Sequence, residues 1–172
     1  INISDYGLVF AGAQKNLGCT GLTVTIIRED LIQDTPDWVP IMYKYKTYTD
    51  NQNMYNTPPT YSIYIHMLLL EWIKEHGGLD AMIRETHRKS DLLYDYVDHS
   101  KVWKCYVPGE DRSPTNVVFN APEKAYDEKF VQAAAEAGLV GISGYRLGGC
   151  RVSLYNAMPY EGVEALVDFM QK

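Results

Sequence analysis

Short apolar runs and helical spacings alternate along the chain and predict a mixture of strands and helices. Two apolar runs, residues 7–10 and 21–27, predict buried strands on either side of a turn. Residues 28–57 are polar, lack a clear period and contain several Pro and Tyr residues. This composition leaves two alternatives open, a coiled surface loop or a partner-facing segment.

Two long helices are predicted next. The first has Thr57 as its N-cap, Pro in its first turn and its end at the pair Gly77-Gly78. Its apolar face consists of residues at helical spacing, namely Ile63, Met67, Leu70 and Ile73 or Lys74. The second helix covers roughly residues 79–97, and its inward residues are Leu79, Met82, Ile83, Leu93 and Val97.

Shorter strands and helices alternate in the rest of the chain. Strands are predicted over residues 102–107, 116–120, 139–142 and 151–155. Helices are predicted over residues 126–137, with Phe130, Val131 and Ala134 buried, and over residues 161–170. This mixture predicts a small α/β domain after the long helices, with domains at residues 1–78 and 79–172.

Composition and charge narrow the class of protein. The 172 residues suffice for one domain with a sizeable core, and the net charge of −6 does not favour binding to nucleic acid or an anionic membrane. Cys19, Cys105 and Cys150 are widely spaced, which predicts a reducing, cytoplasmic compartment and neither a disulfide framework nor a zinc site. No apolar run approaches membrane-spanning length. Four histidines without metal-ligand spacing are predicted at the surface or at helix ends: His66, His76, His87 and His99.

Lys15 is the first candidate for chemistry. It lies in the turn Ala-Gly-Ala-Gln-Lys-Asn-Leu-Gly, residues 11–18, between the two predicted buried strands. A desolvated amine is costly unless it has a function. One such function is a Schiff base with a carbonyl cofactor. The alternative is a lysine on a surface turn of a hairpin.

Asn56, Thr57 and Gln14 are candidates for binding a phosphate. The N–H groups at a helix N-terminus attract anions, and the hydroxyl of Thr57 adds a donor beside them. The side-chain amide of Gln14 could donate to a phosphate oxygen. The alternatives are a helix-capping threonine and a turn glutamine that faces solvent.

Arg146 and Arg151 are candidates for binding an anionic substrate. They flank Gly148-Gly149 just before an apolar strand. The guanidinium group binds carboxylate or phosphate in a bidentate manner, and glycine lets a ligand approach the backbone. The alternative is a pair of exposed arginines around a turn.

Three segments together resemble the class V aminotransferases, which are pyridoxal-phosphate enzymes. They are the lysine turn at residues 11–18, Met-Tyr-Asn-Thr-Pro-Pro-Thr at residues 54–60, and residues 144–159, in the order and separation of the family. The resemblance covers the whole chain and implies an α/β fold, with the end of the large domain of a fold-type I aminotransferase followed by a small C-terminal α/β domain. The chain opens on Ile1 without an initiator Met, so we expect it to lack the upstream half of the enzyme.

The resemblance implies roles for the candidate residues. Lys15 would carry pyridoxal phosphate and act as general base and acid in a transaminase. Gln14 would contact the cofactor phosphate. Asn56 and Thr57 would reach across a homodimer interface to the phosphate of the neighbouring subunit. Arg151 and Arg146 would bind the substrate, Arg151 at the α-carboxylate and Arg146 near a substrate phosphate.

Within the family, the segments are most similar to those of enzymes of serine biosynthesis. These exchange the amino group between L-glutamate and 3-phosphohydroxypyruvate, giving O-phospho-L-serine and 2-oxoglutarate. The chain departs from the family pattern where Tyr145 replaces His and where one residue is missing between the two arginines. Either the loop shifts its register or Arg146 is displaced. Cys19-Thr20 also replaces a Pro and a small residue.

Two other functions remain open. The upstream half of the family supplies the Asp that pairs with the pyridinium nitrogen and the aromatic residue that stacks on the ring, so this chain by itself would lack part of the active site. It could then be a catalytically incomplete, dimerising fragment. The other alternative is a different class V enzyme, such as a desulfurase or a glyoxylate aminotransferase. The Asn-Thr-Pro-Pro-Thr block and the Arg-flanked glycine pair argue against it.

Overall fold

The computed structural model describes residues 1–144 and 148–172, so Tyr145 and Arg146 lie outside the described residues. The chain forms two compact units, Ile1–Trp72 and Ile73–Lys172. Both contain helices and strands, in agreement with the expected α/β class. The assignment of domains at residues 1–78 and 79–172 stays a prediction. No helix within the described residues is long and apolar enough to cross a membrane.

The first unit opens with an antiparallel hairpin of β1 (Leu8–Gly12) and β2 (Thr23–Ile27). Its register runs from Leu8 opposite Ile27 to Gly12 opposite Thr23. The two predicted strands are therefore confirmed, but their predicted burial is wrong, since Phe10 is 70% and Ile26 is 44% exposed. The described part of this sheet has only two strands, and an isolated hairpin cannot cover its own faces.

Helix α1 (Tyr45–Asp50) and helix α2 (Thr60–Glu75) follow in the same unit. The prediction that Thr57 caps α2 is wrong, because the helix begins at Thr60. A residue that precedes proline is disfavoured in the helical conformation, so Pro58, which precedes Pro59, is a poor first residue for the helix. The N–H of Ile63 donates to the carbonyl of Pro59, which makes Pro59 the last residue before α2.

The buried face of α2 also differs from the prediction. Ile63, Met67 and Leu70 are between 42% and 47% exposed. Ser62 is buried instead, and His66 is partly buried in the middle of the helix and not at the surface or a helix end. The reason is that these two polar side chains hydrogen bond to the loop between β1 and β2, which turns their face of α2 inward.

The described residues of the second unit form three α-helices and a two-stranded antiparallel sheet: α3 (Gly78–His99), β3 (Asn116–Phe119), α4 (Lys124–Glu136), β4 (Cys150–Ser153) and α5 (Tyr160–Met170). Asn116 pairs with Ser153, and Val118 pairs with Arg151. Side chains alternate between buried and partly buried along both strands. One face of the sheet therefore belongs to the core, and Arg151 lies on the other face.

The core of this unit lies between the sheet, α3, α4 and α5. Leu93 and Val97 are fully buried and Ala134 packs beside them, as predicted. The predicted burial of Leu79 and Ile83 is wrong, since they are 70% and 47% exposed. The α3 residues of the core cluster all come from its second half, so the first turns of the helix contribute nothing to this core.

Two predicted strands do not form continuous ladders in the structure. Residues 102–107 contribute only the bridge from Lys104 to Asn120, and residues 139–142 form no strand, although Ser143 next to them bridges to Cys150. Gly138 and Gly141 adopt φ angles of 87° and 82°. These left-handed conformations interrupt the extended backbone that a continuous ladder requires.

Lys89 of α3 is 3% exposed and hydrogen bonds to the segment that connects β4 to α5. Its Nζ donates to the carbonyl oxygens of Tyr155 at 2.8 Å and Met158 at 2.9 Å. Burial lowers the pKa of Lys89, and the two charged hydrogen bonds compensate for the desolvation. This contact fixes the segment that leaves the strand of Arg151.

Replacing Lys89 by methionine is expected to lower the free energy of unfolding by about 2–4 kcal/mol. Methionine retains the aliphatic stem but leaves two carbonyl oxygens without their charged donor. Urea unfolding of the complete protein measures the change. The matched variant Lys101→Met, at an exposed position, should stay within about 0.5 kcal/mol of the parent protein. A loss at Lys89 no larger than at Lys101 would contradict this role.

Candidate active site

Lys15 begins the 3-10 turn Lys15–Leu17 in the loop between β1 and β2. Its φ angle is 54°, a left-handed conformation that costs a residue with a Cβ roughly 1–2 kcal/mol. The N–H of Leu17 donates to the carbonyl of Gln14 at 2.9 Å, and the N–H of Gly18 donates to the carbonyl of Lys15 at 3.2 Å. Such strain is concentrated at functional sites, so the backbone supports Lys15 as a site residue.

The environment of Lys15 differs from the sequence-based expectation. Lys15 is exposed in this chain and lies between strands that are themselves largely exposed. The predicted desolvation of its amine is therefore wrong. Its backbone conformation is an independent indication of function that the sequence did not reveal.

Helix α2 anchors the loop that follows Lys15. The hydroxyl of Ser62 donates to the carbonyl of Thr20 at 3.0 Å, and Nδ1 of His66 lies 2.9 Å from the carbonyl of Leu17. A carbonyl can only accept, so Nδ1 of His66 carries the proton. The sequence analysis missed both residues, although their spacing of four places them on one helix face. Thr20 enters through its backbone, which explains why the Cys19-Thr20 departure from the family pattern is compatible with the loop.

The predicted phosphate ligands belong to the same unit as Lys15. Gln14 directly precedes Lys15, is exposed and has an extended backbone with a φ angle of −169°. Asn56 and Thr57 are exposed in the segment before α2, where Nδ2 of Asn56 donates to the carbonyl of Thr57 at 3.1 Å. Pro59 occupies the N-cap position of α2, so the alternative of a helix-capping threonine at Thr57 is wrong.

Arg151 lies in the second unit, on the face of the β3–β4 sheet that is turned away from the core. Its N–H donates to the carbonyl of Ile142 at 2.8 Å. On the same face, the hydroxyls of Ser153 and Tyr155 donate to Oδ1 of Asn116 at 3.1 Å and 3.4 Å. The period-two spacing from residue 151 to 155 was the signal for this polar strip, which the sequence analysis did not use.

The glycine pair before β4 has a structural function. A Cβ on Gly149 would lie 2.8 Å from the carbonyl oxygen of Phe119, and the φ angle of Gly149 is 69°. Glycine is therefore required there by the close approach of β3. The role of this pair in admitting a ligand stays a prediction, and Arg146 lies outside the described residues.

Metal binding and cysteine-based catalysis find little support among the described residues. Within residues 1–144 and 148–172, no three His, Cys, Asp or Glu side chains are grouped as a metal site. Cys150 is buried, and its burial raises the pKa of the thiol to about 12. A nucleophilic cysteine needs the opposite shift and solvent access, so Cys150 is a core residue.

A family model described as "Aminotransferase class-V" matches residues 1–166. The chain therefore belongs to the class V aminotransferases, and the resemblance of the three sequence segments is confirmed. A curated relative, a phosphoserine aminotransferase of Bacillus cereus, is 46% identical over 172 residues, which cover 99% of this chain and 48% of that protein. The chain thus spans about half the length of the curated relatives it matches.

Solved structures of phosphoserine aminotransferases have the same fold as this chain. The phosphoserine aminotransferase from Bacillus circulans subsp. alkalophilus superimposes with a TM-score of 0.93 at 43% identity, over 99% of this chain and 48% of that chain. A PLP-bound phosphoserine aminotransferase from Trichomonas vaginalis has a TM-score of 0.90 at 36% identity, over 100% of this chain and 50% of that one. The expected α/β aminotransferase fold is confirmed.

Proposed function

We propose that the complete protein containing this chain is a phosphoserine aminotransferase. It would use pyridoxal phosphate to transfer the amino group of L-glutamate to 3-phosphohydroxypyruvate, giving O-phospho-L-serine and 2-oxoglutarate in serine biosynthesis. The observation that carries the proposal is Lys15, which is held in a strained, hydrogen-bonded turn within the family's lysine motif. The similarity to phosphoserine aminotransferases supports the choice of substrates.

The residues of the first unit fit pyridoxal phosphate. An exposed amine on a fixed turn suits reaction with an aldehyde, and the exposed Gln14, Asn56 and Thr57 offer neutral donors for a phosphate. When bound, the cofactor supplies an electron sink for charge that develops at the substrate Cα. Lys15 would take the proton from the Cα of the amino donor and would deliver a proton to the Cα of the amino acceptor.

The second unit would bind the substrate. Arg151 presents a guanidinium group that suits the α-carboxylate in a bidentate geometry. The strip of Asn116, Ser153 and Tyr155 offers further polar atoms on the same face. Arg146 would lie near the substrate phosphate. Because the chain has a net charge of −6, these local cations must overcome an unfavourable overall field.

Covalent trapping of the cofactor tests the proposal. The complete protein is loaded with pyridoxal phosphate and reduced with borohydride, and its peptides are mapped by mass spectrometry. The label is expected on Lys15, and the reaction products are expected to be O-phospho-L-serine and 2-oxoglutarate. A label found only on other lysines, such as Lys74, contradicts the assignment. Transfer to glyoxylate or release of sulfur would instead favour another class V enzyme.

A second candidate applies to the 172-residue chain taken by itself, namely a catalytically incomplete, dimerising fragment. Large apolar side chains of the first unit are strongly exposed, including Phe10 at 70%, Trp38 at 82% and Tyr43 at 79%. Such surfaces favour association with further protein. Titration of the isolated chain with pyridoxal phosphate, followed by absorbance, distinguishes a cofactor-binding chain from an inert one.

We also propose that the complete protein is a cytoplasmic homodimer with shared active sites. Cys19, Cys105 and Cys150 are all thiols, which suits a reducing compartment. In the shared site, Asn56 and Thr57 of one subunit would bind the cofactor phosphate held by the other subunit. An active monomer would exclude this arrangement.

Replacing Thr57 by alanine is expected to raise the dissociation constant of the cofactor about 10- to 100-fold, the range of one hydrogen bond to a charged group. The free energy of unfolding of the apo protein should change little, because Thr57 lies outside α2 and no cap is lost. Equilibrium dialysis and a melting curve measure the two quantities. The control is Thr60→Ala, which removes a hydroxyl that donates to Pro58 inside the chain. It should leave cofactor affinity unchanged.

Mixed dimers test whether the sites are shared. A Thr57→Ala subunit is paired with a Lys15→Ala subunit. If Thr57 serves the partner's cofactor, both lesions fall in one site, the other site is intact, and about half of the full activity returns. If Thr57 serves its own subunit, each site carries one lesion, and little activity returns at cofactor concentrations well below the raised dissociation constant of the Thr57→Ala site.

A further inference from the structure

Ser62 and His66 connect helix α2 to the loop that carries Lys15. Ser62 is 8% exposed and His66 is partly buried, and they lie one helical turn apart on the same face of α2. Each directs a side-chain donor at a backbone carbonyl of the loop, Ser62 at Thr20 and His66 at Leu17. Both contacts join distant residues, at separations of 42 and 49 positions. We call this pair of side chains the loop clamp.

The loop clamp acts on the part of the loop that keeps Lys15 in its strained conformation. Leu17 accepts the bond from His66 through its carbonyl, and its own N–H donates to Gln14. The turn is closed one residue later by the N–H of Gly18, which donates to the carbonyl of Lys15. A left-handed lysine relaxes unless its surroundings hold it in place. His66 therefore contributes directly to the turn that orients Lys15.

The same helix also begins at the segment of the predicted phosphate donors. Thr57 precedes Pro58 and Pro59, whose fixed φ angles stiffen the backbone up to the first turn of α2. Ser62 and His66 lie in the first two turns of the same helix. Helix α2 thus has the predicted phosphate donors at its N-terminal end and hydrogen bonds to the lysine loop along one face.

On the basis of the proposed function, we propose that Ser62 and His66 are positioning residues that fix the lysine loop on α2 and thereby the place of the Lys15 amine for the cofactor. Neither residue touches the cofactor in this proposal. They act through the backbone of residues 15–20. Loss of the clamp should loosen the turn locally without unfolding the hairpin, because β1 and β2 keep their own ladder of hydrogen bonds.

Hydrogen exchange of the apo protein tests the local part of the proposal. In His66→Leu and Ser62→Ala, the amides of Leu17 and Gly18 are expected to exchange about three- to ten-fold faster, the range that one neutral hydrogen bond covers. The amides of β1 and β2 should be unchanged. The matched controls are His87→Leu, at an exposed position of α3, and Ser90→Ala, since the Ser90 hydroxyl donates to the carbonyl of His87 in its own helix. Neither control should alter exchange in the loop.

Amide side chains of different length test the geometry of the His66 contact. In His66→Asn the side-chain nitrogen occupies the δ position, as Nδ1 does in histidine, and it can still donate to Leu17. In His66→Gln the nitrogen lies one bond further out. We expect His66→Asn to exchange like the parent protein and His66→Gln to resemble His66→Leu. This comparison also decides the question if His66→Leu does not fold.

Labelling of Lys15 tests the functional part. At limiting pyridoxal phosphate, the ratio of borohydride label on Lys15 to that on the exposed Lys74 is expected to fall about three- to ten-fold in the clamp variants. The reason is that each variant loses one neutral hydrogen bond to the lysine loop. Unchanged exchange at Leu17 and Gly18 overturns the proposal, and so does faster exchange with an unchanged ratio of Lys15 to Lys74 label. A parent protein that takes no label at Lys15 overturns the proposed function, and the positioning role with it. That outcome is seen without any variant, so the two failures are distinguishable.

Discussion

Replacing Lys15 by alanine is expected to lower the rate of amino transfer in the complete protein by about 10²–10⁴-fold, the contribution of a positioned acid–base group. The reason is that no other lysine lies in the strained turn between β1 and β2. Lys15→Arg should be equally inactive, because a guanidinium group retains the charge but cannot exchange the proton. Steady-state kinetics with glutamate as donor measure the loss, with Lys74→Ala as the control.

A glycine at the same position separates backbone strain from chemistry. Lys15→Gly is expected to stabilise the protein by up to about 1 kcal/mol relative to Lys15→Ala, since glycine adopts a φ angle of 54° without a steric penalty. Both variants should be equally inactive. Equal stabilities would show that the turn does not strain residue 15. Substantial activity in Lys15→Gly would remove the proposed role of the amine.

Replacing Arg151 by lysine is expected to weaken the binding of amino and keto acids by about 1–3 kcal/mol, or roughly 5- to 150-fold in KM. Lysine keeps the charge of Arg151 on the outer face of β4 but cannot reproduce the two parallel hydrogen bonds of a guanidinium group. The absorbance of bound cofactor should persist. Arg84→Lys, at an exposed position of α3, should leave KM unchanged.

Two results with Arg151→Lys would reject its assigned role. One is normal glutamate binding together with loss of the cofactor, which would make Arg151 a cofactor residue. The other is a drop in stability as large as the drop in affinity, which would make it a structural residue of the sheet. Measuring KM, cofactor absorbance and the melting curve on the same preparation distinguishes these outcomes.

The start of α2 illustrates how far local sequence rules reach. The pattern located the helix, and the pair Gly77-Gly78 located its end. Thr57 was nevertheless assigned as the N-cap. That assignment makes Pro58 the first helical residue, although a residue that precedes proline, as Pro58 does, is disfavoured in the helical conformation. This error lay in the choice between two local rules and did not require a tertiary contact to correct it.

His66 illustrates the opposite case. Its neighbours in sequence are apolar, and nothing in the pattern distinguishes it from a surface histidine. Its function in the loop clamp depends on the carbonyl of Leu17, which lies 49 positions away. Arg151 is intermediate. Its motif and the period-two spacing to Ser153 and Tyr155 were visible in the sequence, whereas Asn116 joined them only through the pairing of β3 with β4.

The sequence by itself determined the hairpin around Lys15, the long helices, the closing α5 and the family of the protein, because hydrophobic periodicity, glycine and proline signals and short motifs are local properties of a chain. The tertiary structure alone decided which face of α2 is buried, that Lys15 is exposed on a strained turn, and that Ser62 and His66 hold that turn. These features depend on contacts between distant segments. Such contacts are settled by the combined packing and hydrogen bonding of the folded chain, and local pattern does not encode them.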